Sequence, residues 1–345
     1  MEFKTDSIYN EYEMCEEIGS GQFAVVKRCI QRRSGKEFAA KFIKKKRTKS
    51  SRRGVAIEDV EREVNILKNL NHENIVQLFD VFDNGNEVIL ILELVRGGEL
   101  FDLLSGNERL SERDAIAYIK QILVGLKHMH EKNIAHLDLK PENIMLLENQ
   151  NTHRIKLIDF GLSRLLLSNN DVREMMGTPE FVAPEIISYE PVTLASDMWS
   201  LGVITYNLLS GTSPFLGESK QDTFANITAV NYKFDEEYFS EISNEGINFI
   251  TKLLVRDPRK RNTVYDCLNH PWIAKEEINI FRCVINVDQI KSHTAYLRWK
   301  HTVKVISLCN RLSRNLKVRQ KSENLSINSV ISSISTVQNN KETEE

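Results

Sequence analysis

The sequence predicts a two-lobed α+β fold, in which a small antiparallel-sheet N-lobe with one helix precedes a larger helical C-lobe. Residues 12–94 consist of short β-rich segments separated by turn residues, whereas the apolar pattern after Gly97-Gly98 becomes helical. The chain has 345 residues, of which 41% are hydrophobic and 27% charged, so it can bury a sizeable core. A further regulatory helix is predicted near the C-terminal end.

The predicted N-lobe spans about residues 12–94 and follows an N-terminal extension, residues 1–11. Two segments within it, AVVKRCI (24–30) and EFAAKFI (37–43), are typical of strands. Apolar residues in 57–70 recur at alternating spacings of three and four, which predicts a helix.

The predicted C-lobe spans about residues 95–273, and the two lobes join near Leu92–Val95. A largely buried helix is predicted over 115–130, because Ser111 and Asp114 form an N-terminal capping pattern ahead of it. Two more segments have helical periodicity: 196–210 and 244–256.

Beyond the C-lobe we expect a linker (274–290), a basic helical segment (291–320) and a disordered tail (321–345). The tail is rich in Ser and Asn and lacks aromatic residues, which is typical of chains without a core. Five scattered cysteines without metal-ligand spacing indicate free thiols in a reducing compartment. Without a secretory leader or an apolar run long enough to span a bilayer, the sequence predicts a cytoplasmic protein.

One loop, HLDLKPEN (136–143), places three polar residues among apolar neighbours. The Asp138 carboxylate could accept the proton of an attacking hydroxyl, while Lys140 offsets the charge of a transferred phosphate. Asn143 and Asp159 could provide the oxygen ligands that Mg²⁺ prefers. Each residue alone is more simply a surface turn residue, but the whole set at this order and spacing favours phosphoryl-transfer chemistry.

A glycine-rich segment, IGSGQFAVV (18–26), lies between two predicted strands. Gly19 and Gly21 would let backbone N–H groups approach phosphates closely, although a plain hairpin turn is the simpler explanation of such a pair. Lys41 lies inside an apolar strand, where an unpaired ammonium is costly, and Glu63 is its candidate partner. The alternative is a lysine that points outward from a half-exposed strand.

Six motifs occur in the order found in protein kinases, which the chain therefore resembles. GTPEF (177–181) together with DLKPEN is similar to the serine/threonine class and unlike the tyrosine class. The third glycine of the phosphate-loop pattern is replaced by Ala24. Besides the glycine-rich segment the motifs are AAK (39–41), H-x-D-x-K-x-x-N (136–143), DFG (159–161), APE (183–185) and DMW (197–199).

The resemblance implies how ATP and Mg²⁺ are bound. Lys41 would hold the ATP phosphates and Glu63 would fix Lys41, while Asn143 and Asp159 would bind Mg²⁺. The segment covering ATP would consist of Ile18, Gly19, Ser20, Gly21, Gln22, Phe23, Ala24, Val25 and Val26. Leu92 would lie behind the adenine, and hinge backbone groups would come from Glu93 and Val95.

The resemblance also implies catalytic and substrate-binding residues. Asp138 would be the catalytic base and Lys140 would assist it. Glu99 and Glu142 would line the peptide groove and receive arginines, which predicts basic-directed Ser/Thr protein substrates. A buried structural ion pair is implied between Glu185 and Arg261.

Four segments resemble the death-associated protein kinases, a family within the calmodulin-regulated group. That resemblance implies calmodulin control, a role in cell death or autophagy, and a homodimer or partner contact through the basic loop 44–54. A solvated, flexible loop is the alternative for 44–54, and no nucleic-acid partner is expected. Because no ankyrin repeats or death domain follow, we expect a short family member or a truncated form. The four segments are KKKRTKSSRRG (44–54), ELVRGGELFDLL (93–104), GTPEFVAPEI (177–186) and ISLCNRLSR (306–314).

Leu137 stands where kinases switched by activation-loop phosphorylation carry an arginine that pairs with the added phosphate. We therefore expect the loop to adopt its working shape unphosphorylated, with control by the C-terminal segment. Without Ca²⁺ that segment would block the substrate cleft, and calmodulin would extract it. The alternative is a catalytically weak kinase-fold scaffold that acts through calmodulin and partner binding.

The basic segment 291–320 contains eight Lys or Arg residues and no Asp or Glu. Projected onto a helix, its apolar residues form two roughly opposite faces, which suits an acidic partner that wraps around it, such as calmodulin. A membrane-surface helix, or a helix docked permanently on the large lobe, are the alternatives. Phosphorylation of Ser307, between the two faces, is predicted to weaken capture. The predicted calmodulin anchors are Trp299, Val303, Ile306 and Leu312.

Overall fold

The computed structural model of the protein describes residues 3–21, 23–46, 54–101, 110–147, 154–167, 171–274 and 284–285. These residues form a small β-rich lobe followed by a larger helical lobe, as the sequence predicts. The predicted basic helix (291–320) and tail (321–345) lie outside the described residues. No helix in the described part of the chain combines the length and apolar character that crossing a membrane requires.

The N-lobe contains a five-stranded antiparallel sheet with the order β1-β2-β3-β5-β4. Its strands are β1 (Tyr12–Ser20), β2 (Ala24–Gln31), β3 (Glu37–Lys44), β4 (Leu78–Asp83) and β5 (Glu87–Glu93). Phe38 and Phe42 of β3 pack in a cluster on the outer face of this sheet. Because side chains alternate along a strand, Lys41 faces the opposite side.

Two helices accompany the sheet: α1 (Ile8–Glu11) in the N-terminal extension and α2 (Ile57–Asn69) within the lobe. The 3–4 spacing of apolar residues predicts α2 to within one residue, and Val60, Val64 and Leu67 are buried against the core. The same helix face carries the buried Glu63, which α2 therefore brings towards the sheet.

The C-lobe is built around α3 (Glu112–His130) and α5 (Ala195–Ser210). A capping box formed by Ser111 and Asp114 begins α3, as the sequence predicts. Every residue of α5 after Ala195 is buried, so α5 forms the centre of the lobe. The other helices are α4 (Pro184–Ile187), α6 (Lys220–Ala229), α7 (Glu236–Phe239), α8 (Asn244–Leu253), α9 (Val264–Leu268) and α10 (Pro271–Ala274).

The predicted helix 244–256 is observed as α8, which ends three residues early. Leu254 leaves the helical conformation with ψ of 56°, although its N–H still donates to the carbonyl of Ile250. The local apolar rhythm continues past this point, so periodicity alone extends the helix too far.

Short strands surround the loop of residues 136–143. It lies between β7 (Ile134–Ala135) and β8 (Ile144–Leu146), which pair with β10 (Arg164–Leu165) and β9 (Ile155–Leu157) respectively. Asp159 follows β9 and thus lies next to this loop. A last pair joins β6 (Leu110–Ser111) to β11 (Val284–Ile285), which falls within the predicted linker.

Candidate active site

Asp197 of α5 holds the loop that carries Asp138. Its fully buried carboxylate accepts hydrogen bonds from the backbone N–H groups of His136 and Leu137, each at 2.8 Å, and lies 2.9 Å from Nε2 of His130. Leu137 has a φ of 65°, a left-handed conformation that is unfavourable for leucine. The two hydrogen bonds to one carboxylate therefore offset this backbone strain.

The carboxylate of Asp138 is 10% exposed and contacts three side chains. Thr178 Oγ1 donates to Oδ1 at 3.0 Å, Asn143 Nδ2 donates to Oδ2 at 3.1 Å, and Lys140 Nζ lies 2.8 Å from Oδ2. Burial would lower the pKa of Lys140, but the neighbouring Asp138 outweighs it and raises the pKa above its ordinary value. Lys140 therefore stays charged at neutral pH.

Lys41 bridges two carboxylates. Its Nζ lies 2.9 Å from Glu63 Oε1 and 2.9 Å from Asp159 Oδ1. Burial would lower the pKa of Lys41, but the charges of Glu63 and Asp159 outweigh it and raise the pKa. The Lys41 ammonium in turn lowers the pKa of Asp159 to about 2. The structure thus shows the predicted contact of Lys41 with Glu63 and adds Asp159 as a second partner of Lys41.

Asn143 connects the loop to the strand that precedes Asp159. Its Nδ2 donates to the backbone carbonyl of Asp138 at 2.8 Å, and its own carbonyl accepts from the N–H of Ile158 at 3.0 Å. Since the amide nitrogen donates to Asp138, the amide oxygen remains an acceptor. Oxygen atoms suit a hard divalent cation, so Asn143 and Asp159 fit as metal ligands.

Neither conformation nor packing requires glycine at the turn between β1 and β2. A Cβ at Gly19 would lie 3.9 Å from Val26 Cβ, and one at Gly21 would lie 3.9 Å from the Ala24 carbonyl, both ordinary contacts. Neither glycine has a left-handed φ. The missing side chains therefore leave room beside the backbone that the protein itself does not fill. Of the predicted ATP-covering residues, only Gln22 lies outside the described residues.

The predicted hinge and substrate residues lie in or next to β5 and in the loop of Asp138. Leu92, Glu93 and Val95 are half-buried, and Glu93 ends β5. Glu142 is exposed in a 3₁₀ turn within the loop of Asp138, and Glu99 forms a β-bridge to β8.

The predicted ion pair between Glu185 and Arg261 is confirmed. The guanidinium donates to both carboxylate oxygens at 3.0 and 3.1 Å, and the side chains are 1% and 0% exposed. This pair anchors α4 in the C-lobe and is separate from the cluster around Asp138.

Comparison with known proteins identifies the family. The sequence profile of the family described as "Protein kinase domain" matches residues 12–273. The chain is 53% identical to "Death-associated protein kinase 2" of Mus musculus over 319 residues, which cover 91% of this chain and 86% of that protein. The Homo sapiens protein of the same name is 52% identical over the same shares.

The chain belongs to the death-associated protein kinase family.

A solved structure of the twitchin kinase region from C. elegans has the same fold. It is 39% identical to this chain, with a TM-score of 0.81 over 87% of this chain and 52% of that one. The predicted two-lobed protein-kinase fold and the predicted enzyme class, a serine/threonine protein kinase, are therefore confirmed. Members of this family use ATP with a divalent metal and act on protein substrates.

Two residues that organise this kinase site were assigned no catalytic role from the sequence. Thr178 contacts Asp138 across 40 positions of sequence, and Asp197 contacts Leu137 across 60. Both lie in motifs that carried the family resemblance, GTPEF and DMW, and this was the available signal. Motif membership cannot say which loop each side chain reaches, because that depends on the packing of the C-lobe.

Several predicted regulatory residues lie outside the described residues. They are residues 47–53 of the basic loop, the calmodulin anchors Trp299, Val303, Ile306 and Leu312, and the phosphosite Ser307.

Proposed function

We propose that this kinase transfers the γ-phosphate of ATP to Ser or Thr residues of basic-directed protein substrates under Ca²⁺/calmodulin control. The observation that carries the catalytic part is the environment of Asp138. Its carboxylate is nearly buried, is oriented by Thr178, Lys140 and Asn143, and lies on a loop fixed by Asp197.

Asp138 is the proposed catalytic base. Its Oδ1 already accepts a hydrogen bond from a hydroxyl group, that of Thr178, so the carboxylate is oriented as an acceptor. A substrate hydroxyl bound there would be oriented by Asp138 and would give up its proton to it. Lys140 would hold positive charge beside the transferred phosphate.

Lys41, Asn143 and Asp159 are the proposed residues for ATP and Mg²⁺. When bound, Mg²⁺ would neutralise phosphate charge during transfer. Glu63 orients Lys41 towards the phosphates, and Asn143 and Asp159 would provide oxygen ligands. The room beside Gly19 and Gly21 supports a close approach of phosphates to that backbone.

Glu99 and Glu142 are proposed to select basic residues in the substrate. The exposed Glu142 carboxylate is accessible to an arginine, and it lies in the same loop as Asp138. Charge-assisted pairing with arginine would then orient the peptide relative to the catalytic base.

Contacts of Leu137 and of the activation segment, the stretch from DFG (159–161) to APE (183–185), support activity without phosphorylation of that segment. Leu137 is 5% exposed and packs in the core instead of presenting a charge. Arg164 donates to the carbonyls of Leu162 and Ser163, each at 3.1 Å, and pairs with Glu174 at 2.5 Å. These bonds would hold the segment in the way that a phosphate holds it in other kinases.

Control is proposed to come from the segment 291–320. It would block the substrate cleft, be extracted by calmodulin through Trp299, Val303, Ile306 and Leu312, and be captured less tightly once Ser307 is phosphorylated. Likeness to death-associated protein kinase 2 supports this regulation and a role in cell death or autophagy. Homodimerisation through the loop 44–54 is proposed on the same basis. Free Cys15, Cys29 and Cys267 support a cytoplasmic location.

A peptide kinase assay with and without Ca²⁺/calmodulin tests the proposal. The full chain should be nearly inactive without calmodulin and active with it, whereas a chain ending at Ile290 should be active in both conditions. Ending at Ile290 keeps the β11 strand paired with β6, which a chain ending at Ala274 would lose. Continued dependence of the shortened chain on calmodulin would refute blocking. A chain that binds calmodulin but never transfers phosphate would be a scaffold.

Calmodulin titration of the Ser307→Asp variant tests the phosphosite. The added negative charge should weaken the binding of acidic calmodulin, because it lies among Lys and Arg residues that attract it. Ser329→Asp is the matched control, since Ser329 lies outside 291–320 and has no Lys or Arg within six positions in the sequence. Unchanged affinity of Ser307→Asp would reject the regulatory role of this serine.

A further inference from the structure

Lys156 is a buried lysine in the middle of β9. Its side chain is 9% exposed, and its strand neighbours Ile155 and Leu157 belong to the main core. A buried ammonium is costly unless it is paired. Here Nζ lies 2.7 Å from Glu93 Oε2 and donates to the backbone carbonyl of Ile75 at 3.3 Å.

These contacts join three segments, two of which carry residues proposed to bind ATP or its metal. Glu93 is the last residue of β5, where the hinge begins, and Ile75 lies between α2 and β4. Lys156 lies three residues before Asp159 on the same chain segment. One ammonium group therefore ties the hinge, the segment after α2 and the strand that leads to the metal-binding aspartate.

The carboxylate of Glu93 has a second partner in the same layer. Its Oε2 accepts from the backbone N–H of Gln77 at 3.3 Å, while the N–H of Glu93 donates to the carbonyl of Gln77 at 2.9 Å. The side chain and the backbone of Glu93 are thus fixed together. Loss of the side-chain contacts would leave the position of the hinge backbone to the strand hydrogen bonds alone.

We infer that Lys156 is a positioning residue for the nucleotide. It holds the hinge at Glu93 in a fixed position relative to the chain segment that leads to Asp159. This inference rests on the proposed binding of adenine to backbone groups of Glu93 and Val95. Replacing both members of a buried ion pair by apolar side chains is often neutral or stabilising, so the intact pair adds little to stability by itself. Its contribution is the orientation of Glu93, because charge-assisted hydrogen bonds are short and directional.

Steady-state kinetics of Lys156→Met, with Ca²⁺/calmodulin present, tests the inference on the full chain. The variant should raise KM for MgATP by ~10-fold, equivalent to ~1.4 kcal/mol, and leave kcat within ~2-fold of wild type. Discrimination between ATP and GTP should also fall, since a displaced hinge no longer matches the adenine edge. Lys156→Arg keeps the charge and should restore most of the affinity.

A matched control separates this role from a structural one. Lys45→Met removes another lysine in an ion pair. The side chain of Lys45 is 18% exposed, and its Nζ lies 2.6 Å from Asp83, at the end of β4. Both variants should lower the thermal unfolding temperature, but only Lys156→Met should change KM. Partial unfolding reduces the amount of active enzyme and leaves KM unchanged, so KM distinguishes the two roles.

Glu93→Gln provides a second route if Lys156→Met does not fold. It should raise KM for ATP in the same direction, and adding Lys156→Arg to it should not restore the affinity, because the arginine then has no carboxylate to pair with. Unchanged KM in both Lys156→Met and Glu93→Gln would overturn the inference. A higher kcat at unchanged KM would overturn it too, since the contact would then restrain the enzyme. If the wild-type chain itself bound no ATP, the proposed function would fall, and this inference with it.

Discussion

Replacing Arg261 by methionine tests the buried ion pair that holds α4 in the C-lobe. Arg261 and Glu185 are 0% and 1% exposed, and the guanidinium also donates to the carbonyl of Val255 at 3.1 and 3.0 Å. In Arg261→Met the Glu185 carboxylate keeps one neutral donor, Ser196 Oγ at 2.8 Å. A buried charge thus loses its partner, and several carbonyl groups lose their donors.

The cost of this change follows from burial. Removing one partner of a buried ion pair destabilises a protein by ~3–5 kcal/mol. In a domain of this size each kcal/mol lowers the unfolding temperature by ~2–4 °C, so a fall of ~6–20 °C is expected. Adding Glu185→Leu should recover part of the loss, because no unpaired charge then remains buried.

Thermal unfolding followed by circular dichroism at constant pH measures the effect. Arg259→Met is the matched control, since Arg259 pairs with Asp257 at 3.0 Å but is 88% exposed. Exposed pairs contribute little, so this control should unfold close to the wild-type temperature. Equal falls in unfolding temperature for Arg261→Met and Arg259→Met would refute the argument that burial makes the Glu185–Arg261 pair important for stability.

Three other changes have defined outcomes. Asp197→Asn replaces one carboxylate oxygen by an N–H₂ group, so the backbone N–H of either His136 or Leu137 loses its acceptor. Displacement of the loop should lower kcat by ~10²-fold, with KM for ATP nearly unchanged in a steady-state peptide kinase assay. Leu137→Arg buries an unpaired guanidinium, so the unfolding temperature should fall without any gain in peptide phosphorylation. Burial lowers the pKa of His128 and of its neighbour His72 below 6.5, so the unfolded chain binds more protons and stability falls from pH 7 to pH 5. His128→Phe should lessen that fall when unfolding temperatures are compared across pH, and an equal fall would contradict the assignment.

Local patterns in the sequence predicted the elements that depend on near neighbours. The apolar rhythm of α2 and the Ser111–Asp114 cap of α3 act within a few residues, so both helices were predicted, although α3 begins at Glu112, three residues before the predicted start. The pairing of Lys41 with Glu63 was predicted for a different reason, whereas the contact of Lys41 with Asp159 was found only in the structure. Membership of a family motif indicates contacts between residues far apart in the sequence, which hydrophobic periodicity cannot show.

Long-range contacts could not be predicted for residues to which the family motifs assign no role. In the sequence, Lys156 is a charged residue between apolar residues. Only the structure shows that Glu93, where the hinge begins, is its ion-pair partner. Likewise, the hydrogen bonds of Asp197 depend on how α5 meets the loop before Asp138. Such pairs are set by tertiary packing, which a single sequence does not reveal.

The rate of phosphate transfer by Asp138→Asn tests most directly whether Asp138 is the catalytic base. Transfer from ATP to a basic serine peptide would be measured with Ca²⁺/calmodulin present, and ATP affinity would be measured in parallel. Asparagine keeps an acceptor for Thr178, so the loop should remain in place and ATP should bind as in wild type. Transfer should fall by ~10²–10⁴-fold, the usual contribution of a general base. Transfer at the wild-type rate, with ATP binding intact, would contradict the assignment of Asp138.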